Sequence, residues 1–405
     1  MNDILRKRTS TFQEPQRLKD LGQFPFFRPI ESEQATEVTI NGEKVLMFGS
    51  NSYLGLTTHP KVKEASIAAI RKYGTGCAGS RFLNGTLDLH VELEEKLAKF
   101  LNKEAVLIYT TGFQVNLGVI PSLTTKEDTI ILDEFDHASI IEGSRLSFAR
   151  KLKFRHNDME SLEKKLQMCD DSPLKLIVVD GVFSMEGDIA KLPEIVKLAQ
   201  KYNATIMTDC AHAIGVLGKK GAGTPSHFGL DSEVALIGGT FSKSFASIGG
   251  FIASDADTVN YLKHYSRALI FSASMPASTV ASVLASLDLI QSDDSIIASL
   301  WENTNHAHRL FREYGFDIGK TETPIIPIYI RDYMKTFELT TELQRAGLFV
   351  NPVVPPAVSA SDTMIRFSLM ATHTKDQIVR AIEIIYKTMK KLGIESFADK
   401  STVKL

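Results

Sequence analysis

Beyond about residue 58 the chain alternates between two hydrophobic periods. Leu89, Leu93, Leu97 and Leu101 fall four apart and place an apolar stripe on one face of a helix. Short apolar, β-branched runs of strand length then recur at Ala105–Tyr109, Thr129–Leu132, Leu174–Val179, Ala204–Thr208, Val234–Ile237 and Gly250–Ala253. Helical patterns lie between several of these runs. One is Pro193–Tyr202, with proline in the first turn. Another opens on Asn157-Asp-Met-Glu160, a spacing that predicts a capping box. Strands alternating with helices predict an α/β protein on a doubly wound, mainly parallel sheet covered on both faces.

The two ends of the chain read differently. Residues 1–57 are polar and irregular, interrupted by Pro15, Pro25 and Pro29, and predict an arm rather than a domain. Residues 58–285 make the large α/β domain. After it, a helical stretch holding Trp301 leads to the apolar run Ile325–Ile330. A helix near Thr336–Ala346, the run Leu348–Val354, a strand at Met364–Leu369 and a closing helix from Lys375 follow. Residues 286–405 therefore predict a smaller C-terminal α+β domain.

Composition narrows the class. The chain has 405 residues, 43% hydrophobic and 23% charged, which fits a folded globular protein and excludes a disordered or collagen-like one. A net charge of -2 leaves no electrostatic footprint for nucleic acid. Cys77, Cys169 and Cys210 are sparse and lack C-x-x-C spacing, which favours a reducing compartment over a disulfide framework or zinc cluster. The first twenty residues carry no apolar core of a secretion signal. No run approaches the roughly 18 apolar residues of a membrane span. A cytoplasmic enzyme is the expectation.

Ligands of open α/β sheets sit outside the carboxyl ends of the strands, so the polar residues just after each run carry the chemistry. Ala204–Thr208 leads into Asp209-Cys-Ala-His212. Val234–Ile237 leads through Gly-Gly to Thr240-Phe-Ser242-Lys243. Ala105–Tyr109 ends in a small-residue turn before Gly112-Phe113, and Thr129–Leu132 leads to Asp136-His137. Alone, Lys243 would be a solvated loop lysine, and Asp209 with His212 a strand terminator with a capping histidine, or half a metal site that lacks a third ligand. No metal is expected. Together they suit pyridoxal 5'-phosphate (PLP), which needs a lysine for a Schiff base and a carboxylate facing its ring nitrogen. Its phosphate needs helix N-terminal N–H groups and hydroxyls, here Gly112, Phe113, Thr240 and Ser242. His137 is placed to stack on the ring and His212 to bond its phenolic oxygen. This reading reaches a PLP enzyme and leaves the reaction open.

At these residues the chain resembles the α-oxoamine synthases, fold type I PLP enzymes that join an amino acid to an acyl-CoA thioester with loss of carbon dioxide. The likeness runs along essentially the whole chain. It is carried by Asn51-Ser-Tyr-Leu-Gly-Leu56, Gly74-Thr-Gly-Cys-Ala-Gly-Ser-Arg81, Asp136-His137-Ala-Ser139, Phe183-Ser184-Met-Glu-Gly-Asp188, Asp209-Cys-Ala-His212, Gly239-Thr-Phe-Ser-Lys243 and Phe271-Ser-Ala-Ser274. The stretches Met47–Leu56, Gly239–Gly250 and Arg366–His373 look most like the members that use L-serine and palmitoyl-CoA and form 3-oxosphinganine. The resemblance implies that Lys243 holds PLP and moves the serine α-proton, that Asp209 faces the ring nitrogen, and that His137 stacks on the ring. It implies serine-carboxylate contacts from His137 and Arg366, lesser contacts from Asn51 and Ser80, and Ser184 near the ring. It also implies a homodimer in which Ser272 and Ala273 reach the phosphate of the neighbouring subunit. Loose association with the inner membrane surface would suit an amphiphilic thioester. Cys210 departs from the acidic residue that many relatives carry after the aspartate, which bears on rate and pKa. A non-catalytic relative lacking the lysine is disfavoured because Lys243, Asp209 and His137 are all present. Glycine or alanine in place of serine, with another acyl-CoA, is the alternative within the family.

Overall fold

The computed structural model describes residues 3–169 and 171–395. The N-terminal segment is more ordered than its polar texture predicts. Helices Asp3–Thr9 and Glu14–Asp20 precede a hairpin of β1 (Glu37–Ile40) and β2 (Glu43–Met47). Asn41 and Gly42, both at positive φ, make the two-residue turn that matches strand twist. Val38, Ile40, Val45 and Met47 bury the inner face. Two strands of four and five residues are too short to announce themselves against three nearby prolines.

The large sheet contains β3 (Ala105–Tyr109), β4 (Thr129–Asp133), β5 (Arg150–Phe154), β6 (Lys175–Asp180), β7 (Thr205–Asp209), β8 (Leu236–Thr240) and β9 (Gly250–Ser254). Their order is β3-β9-β8-β7-β6-β4-β5, parallel except where β9 runs against β3 and β8. The mainly parallel sheet expected from the alternation is present. Alternate residues feed two cores: Leu107, Ile130, Leu132, Val178 and Met207 on one face, Ile108, Ile131, Ile177, Val179 and Ile206 on the other. That double burial is why these strands read as continuous apolar runs. β5 escaped the pattern because Arg-Lys-Leu-Lys-Phe is an edge strand, where exposed cations discourage further pairing.

The capping box at Asn157–Glu160 is a correction. Asn157 takes φ 50° and turns its amide to Asp188 and the Ile189 carbonyl. The cap of helix Met159–Gln167 is Asp158, whose carboxylate accepts the Ser161 N–H at 2.9 Å. The Glu160 side chain takes no part; only its backbone N–H serves the Asp158 carboxylate.

After helices Ala277–Ser292 and Asp294–Glu313 come β10 (Ile325–Tyr329), β11 (Leu348–Phe349), β12 (Asn351–Val353) and β13 (Met364–Ser368). The run Leu348–Val354 is thus two strands in two sheets. β11 pairs parallel with β2, while β12 flanks β13 antiparallel in the order β10-β13-β12. Helices Tyr333–Arg345 and Lys375–Lys391 cover this end. β13 brings Arg366 toward the carboxyl edge of the large sheet.

Candidate active site

Five strand ends, those of β3, β4, β6, β7 and β8, meet at that edge. Gly112, Phe113, His137, Asp180, Asp209, His212, Thr240, Ser242 and Lys243 line one cavity of about 320 Å³. Lys243 is half-buried in the loop after β8, and its Nζ has no hydrogen-bond partner among the described residues. Burial lowers its amine to about 8 against the pull of Asp209 and Asp180. An unpaired, easily deprotonated amine facing a cavity is what Schiff-base chemistry requires.

Asp209 closes β7 with its carboxylate fixed at both oxygens. Oδ1 accepts the Ala211 N–H at 2.9 Å, and Oδ2 accepts the Asn116 amide at 2.8 Å. His137 caps helix Ala138–Leu146 through its side chain. Its backbone N–H donates to Asp180 at 2.6 Å, and its Nδ1 lies 2.7 Å from Ser139 Oγ. Burial lowers the imidazole below its ordinary value, Asp209 opposes that, and Lys243 adds to it. Beneath it Asp136 accepts the N–H groups of Asp133 and Asp180. Burial pushes the carboxyls of Asp136 and Asp180 well above the usual range, with repulsion from Asp180 adding to the first and from Asp209 to the second.

At the opposite wall, helix Gly112–Leu123 points its N-terminus into the cavity. Thr111 Oγ1 caps the Gln114 N–H at 3.1 Å, leaving the first N–H groups free for an anion. This helix sits unusually close to the sheet. A Cβ on Gly112 would come within 2.6 Å of Thr240 Cβ, and one on Gly250 within 2.7 Å of Gly112 Cα. Thr240 Oγ1 lies 2.9 Å from Ser242 Oγ, so two hydroxyls flank the helix end. Free helix N–H groups and hydroxyls at one end, a fixed carboxylate at the other and a free lysine amine between them fit PLP.

A second cavity of about 480 Å³ adjoins the first and shares His137, His212 and Lys243. Its polar wall adds Asn51, Ser184 and Arg366, while Phe26, Met185, Val353, Val354, Pro355 and Pro356 make an apolar side. Arg366 is 5% exposed, so its orientation is set by its partners. Nε donates to the Ser184 carbonyl at 2.6 Å, Nη1 to Asn51 Oδ1 and Ser368 Oγ at 2.8 Å each, and Nη2 to Tyr53 Oη at 3.3 Å.

Three of the expected residues lie elsewhere within the chain. Ser80 bridges to Ala273, and Ser272 Oγ accepts from Gln114 Nε2 at 3.1 Å, outside both cavities. Cys210 points away from the cavity, its thiol pushed by burial up to about 12. Sequence reasoning gave no role to Tyr53, Asn116, Ser139 or Asp180, although Tyr53 and Ser139 lie inside motifs that carry the family likeness. Asp180 left a further signal, as an acid closing an apolar run in the manner of Asp209.

The family described as aminotransferase class I and II matches residues 43–385. A serine palmitoyltransferase from Bacteroides ovatus is 56% identical over 391 residues, 96% of this chain and 99% of that protein. One from Sphingobacterium spiritivorum is 56% identical over 97% of this chain and 98% of its own length. Among solved structures, a serine palmitoyltransferase variant from S. paucimobilis with a bound PLP–myriocin aldimine is similar at 34% identity and a TM-score of 0.93. That match covers 97% of this chain and all of that one. With one fold and one sequence pattern shared from the hairpin to the closing helix, the chain belongs to the class I and II aminotransferase family, beside relatives named serine palmitoyltransferase.

Proposed function

We propose that this chain is a PLP-dependent acyltransferase that condenses L-serine with palmitoyl-CoA, giving 3-oxosphinganine, CoA and carbon dioxide. The observation that carries this reading is the pairing of Lys243 and Asp209 in one cavity with Arg366 and an apolar wall in the next. PLP, when bound, supplies a sink for the electron pair left on the amino-acid α-carbon. The chain's own residues do the rest. Lys243, with its lowered pKa, takes and returns the α-proton. Asp209, held by Asn116 and Ala211, keeps a negative charge opposite the ring nitrogen. Gly112, Phe113, Thr240 and Ser242 hold the phosphate, His137 and Ser184 border the ring, and His212 bonds its phenolic oxygen. Arg366 and His137 bind the serine carboxylate, with Asn51 as a lesser contact. The Phe26, Val353 and Pro355 side receives the acyl chain.

A homodimer completes the site in this reading. Phe82, Leu83, Phe113, Ile248 and Phe271 are exposed, an apolar set that a second copy would cover. Ser80, Ser272 and Ala273 then serve the neighbouring subunit's cavity rather than their own. The arm over 1–57, the large domain over 58–285 and the small domain over 286–405 are the units we assign. No helix among the described residues is long and apolar enough to cross a membrane. We place the enzyme in the cytoplasm, loosely held at the inner membrane surface through exposed Ile4, Leu5 and Phe12 beside Arg6, Lys7 and Arg8. The test offers serine, glycine and alanine in equal amounts with palmitoyl-CoA and identifies products by mass spectrometry. The serine-derived 3-oxosphinganine is expected to dominate. A dominant glycine or alanine product would overturn the substrate assignment, and no condensation would overturn the reaction.

A further inference from the structure

Tyr53 is 1% exposed, and its hydroxyl is engaged on three sides by residues that line the functional cavities. Arg366 Nη2 reaches its oxygen at 3.3 Å, Asn51 Oδ1 lies 3.4 Å away, and His212 Nδ1 is only 2.6 Å away. The donor and acceptor roles follow from the chemistry of these groups. A guanidinium can only donate, so the phenolic oxygen accepts from Arg366. Burial raises the phenol above its ordinary pKa, so the hydroxyl keeps its one proton to give. Asn51 Oδ1 already accepts from Arg366 Nη1 at 2.8 Å and is the distant option. A separation of 2.6 Å is short for N–H···O and ordinary for a hydroxyl donor. The proton therefore lies on the line to His212 Nδ1.

A neutral imidazole holds one ring proton. Burial, with Lys243, Arg366 and His137 nearby, depresses His212 well below its ordinary value and keeps it neutral. If Nδ1 is the acceptor, Nε2 carries the hydrogen. His212 lines both cavities, and its Nε2 has no partner among the described residues.

We infer that Tyr53 is a positioning residue: it accepts from Arg366, donates to His212 Nδ1, and so fixes His212 as a hydrogen-bond donor toward an anionic oxygen in the cavity. Given the PLP reading above, on which this consequence rests, that oxygen is the cofactor's phenolate. The opposite tautomer would turn a lone pair toward a negative oxygen. One hydroxyl thereby joins the arginine proposed for the serine carboxylate to the histidine proposed for the cofactor. Arg366 keeps Ser184, Asn51 and Ser368 if the hydroxyl is lost, so carboxylate binding does not depend on Tyr53.

The test is ring-¹⁵N histidine spectroscopy on the full-length holoprotein, with the His212 signals assigned by their loss in His212→Gln. The wild type is expected to show a bare, hydrogen-bonded Nδ1 and a protonated Nε2. In Tyr53→Phe the Nδ1 signal should move to that of an unbonded nitrogen or a tautomer mixture. Turnover should fall roughly tenfold with the serine KM within about threefold. A proton on Nδ1 in the wild type would overturn the inference, even if the variant failed to fold. So would unchanged His212 signals in Tyr53→Phe, or a raised serine KM at unchanged kcat. Failure of the wild type to turn over serine and palmitoyl-CoA would instead reject the proposed reaction, with the nitrogen signals still deciding the role of Tyr53.

Discussion

His156 offers a quantitative test of the electrostatics under the active site. Its Nδ1 lies 3.0 Å from Asp133 Oδ1 and its Nε2 2.9 Å from Asp188 Oδ2, while Phe135 stacks on the ring at 4.5 Å. Burial favours the neutral ring, but the two carboxylates prevail and raise it from 6.5 to about 10. Because the folded value is the higher one, the stabilisation is fully present below about pH 6.5 and is lost as pH rises toward 10. At ~1.4 kcal/mol per pKa unit the full shift would be worth ~5 kcal/mol. The side chain is 15% exposed, and solvent screening brings the expectation to about 2–3 kcal/mol. The assay is urea unfolding of wild type and His156→Gln at intervals from pH 6 to 10. The wild type should lead by that amount at pH 6, and the gap should close steadily above pH 7. A gap that stays constant across the range would refute the charged His156. The effect reaches the site because Asp133 is tied through Asp136 and Asp180 to the backbone of His137.

Three further outcomes are expected. Asp209→Asn should fold but lose most turnover, since a neutral side chain gives no charge to the ring nitrogen and sets an amide against the donors Asn116 and Ala211; normal turnover would remove Asp209 from the mechanism. Gly112→Ala should cost about 1–3 kcal/mol of stability by wedging the helix end off Thr240, and should weaken PLP binding measured by equilibrium dialysis; unchanged values for both would contradict the close approach. Arg366→Lys should raise the serine KM at least tenfold while leaving PLP binding intact, because a lysine cannot reproduce the fork held by Ser184 and Asn51.

The large sheet was legible because its strands are buried on both faces, and Ala105–Tyr109 matches β3 residue for residue. The charged edge strand β5 and the hairpin near residue 40 were not, since neither presents a long apolar run. The site divides the same way. Residues that follow strands, such as Lys243, Asp209 and His137, declare themselves by position, whereas Asn51 and Arg366 came only through the family likeness. Nothing local marks the roles of Tyr53 and Asn116, because their partners His212 and Asp209 lie 159 and 93 residues away. The capping box failed because Asn157 had a competing tertiary partner in Asp188.

The claim on which the rest depends is that Lys243 carries the cofactor, and borohydride reduction of the PLP-loaded enzyme tests it most directly. After proteolysis and mass spectrometry, the reduced pyridoxyl group is expected on Nζ of Lys243, with none recovered from Lys243→Ala. Attachment at any other lysine in the wild type would contradict the account.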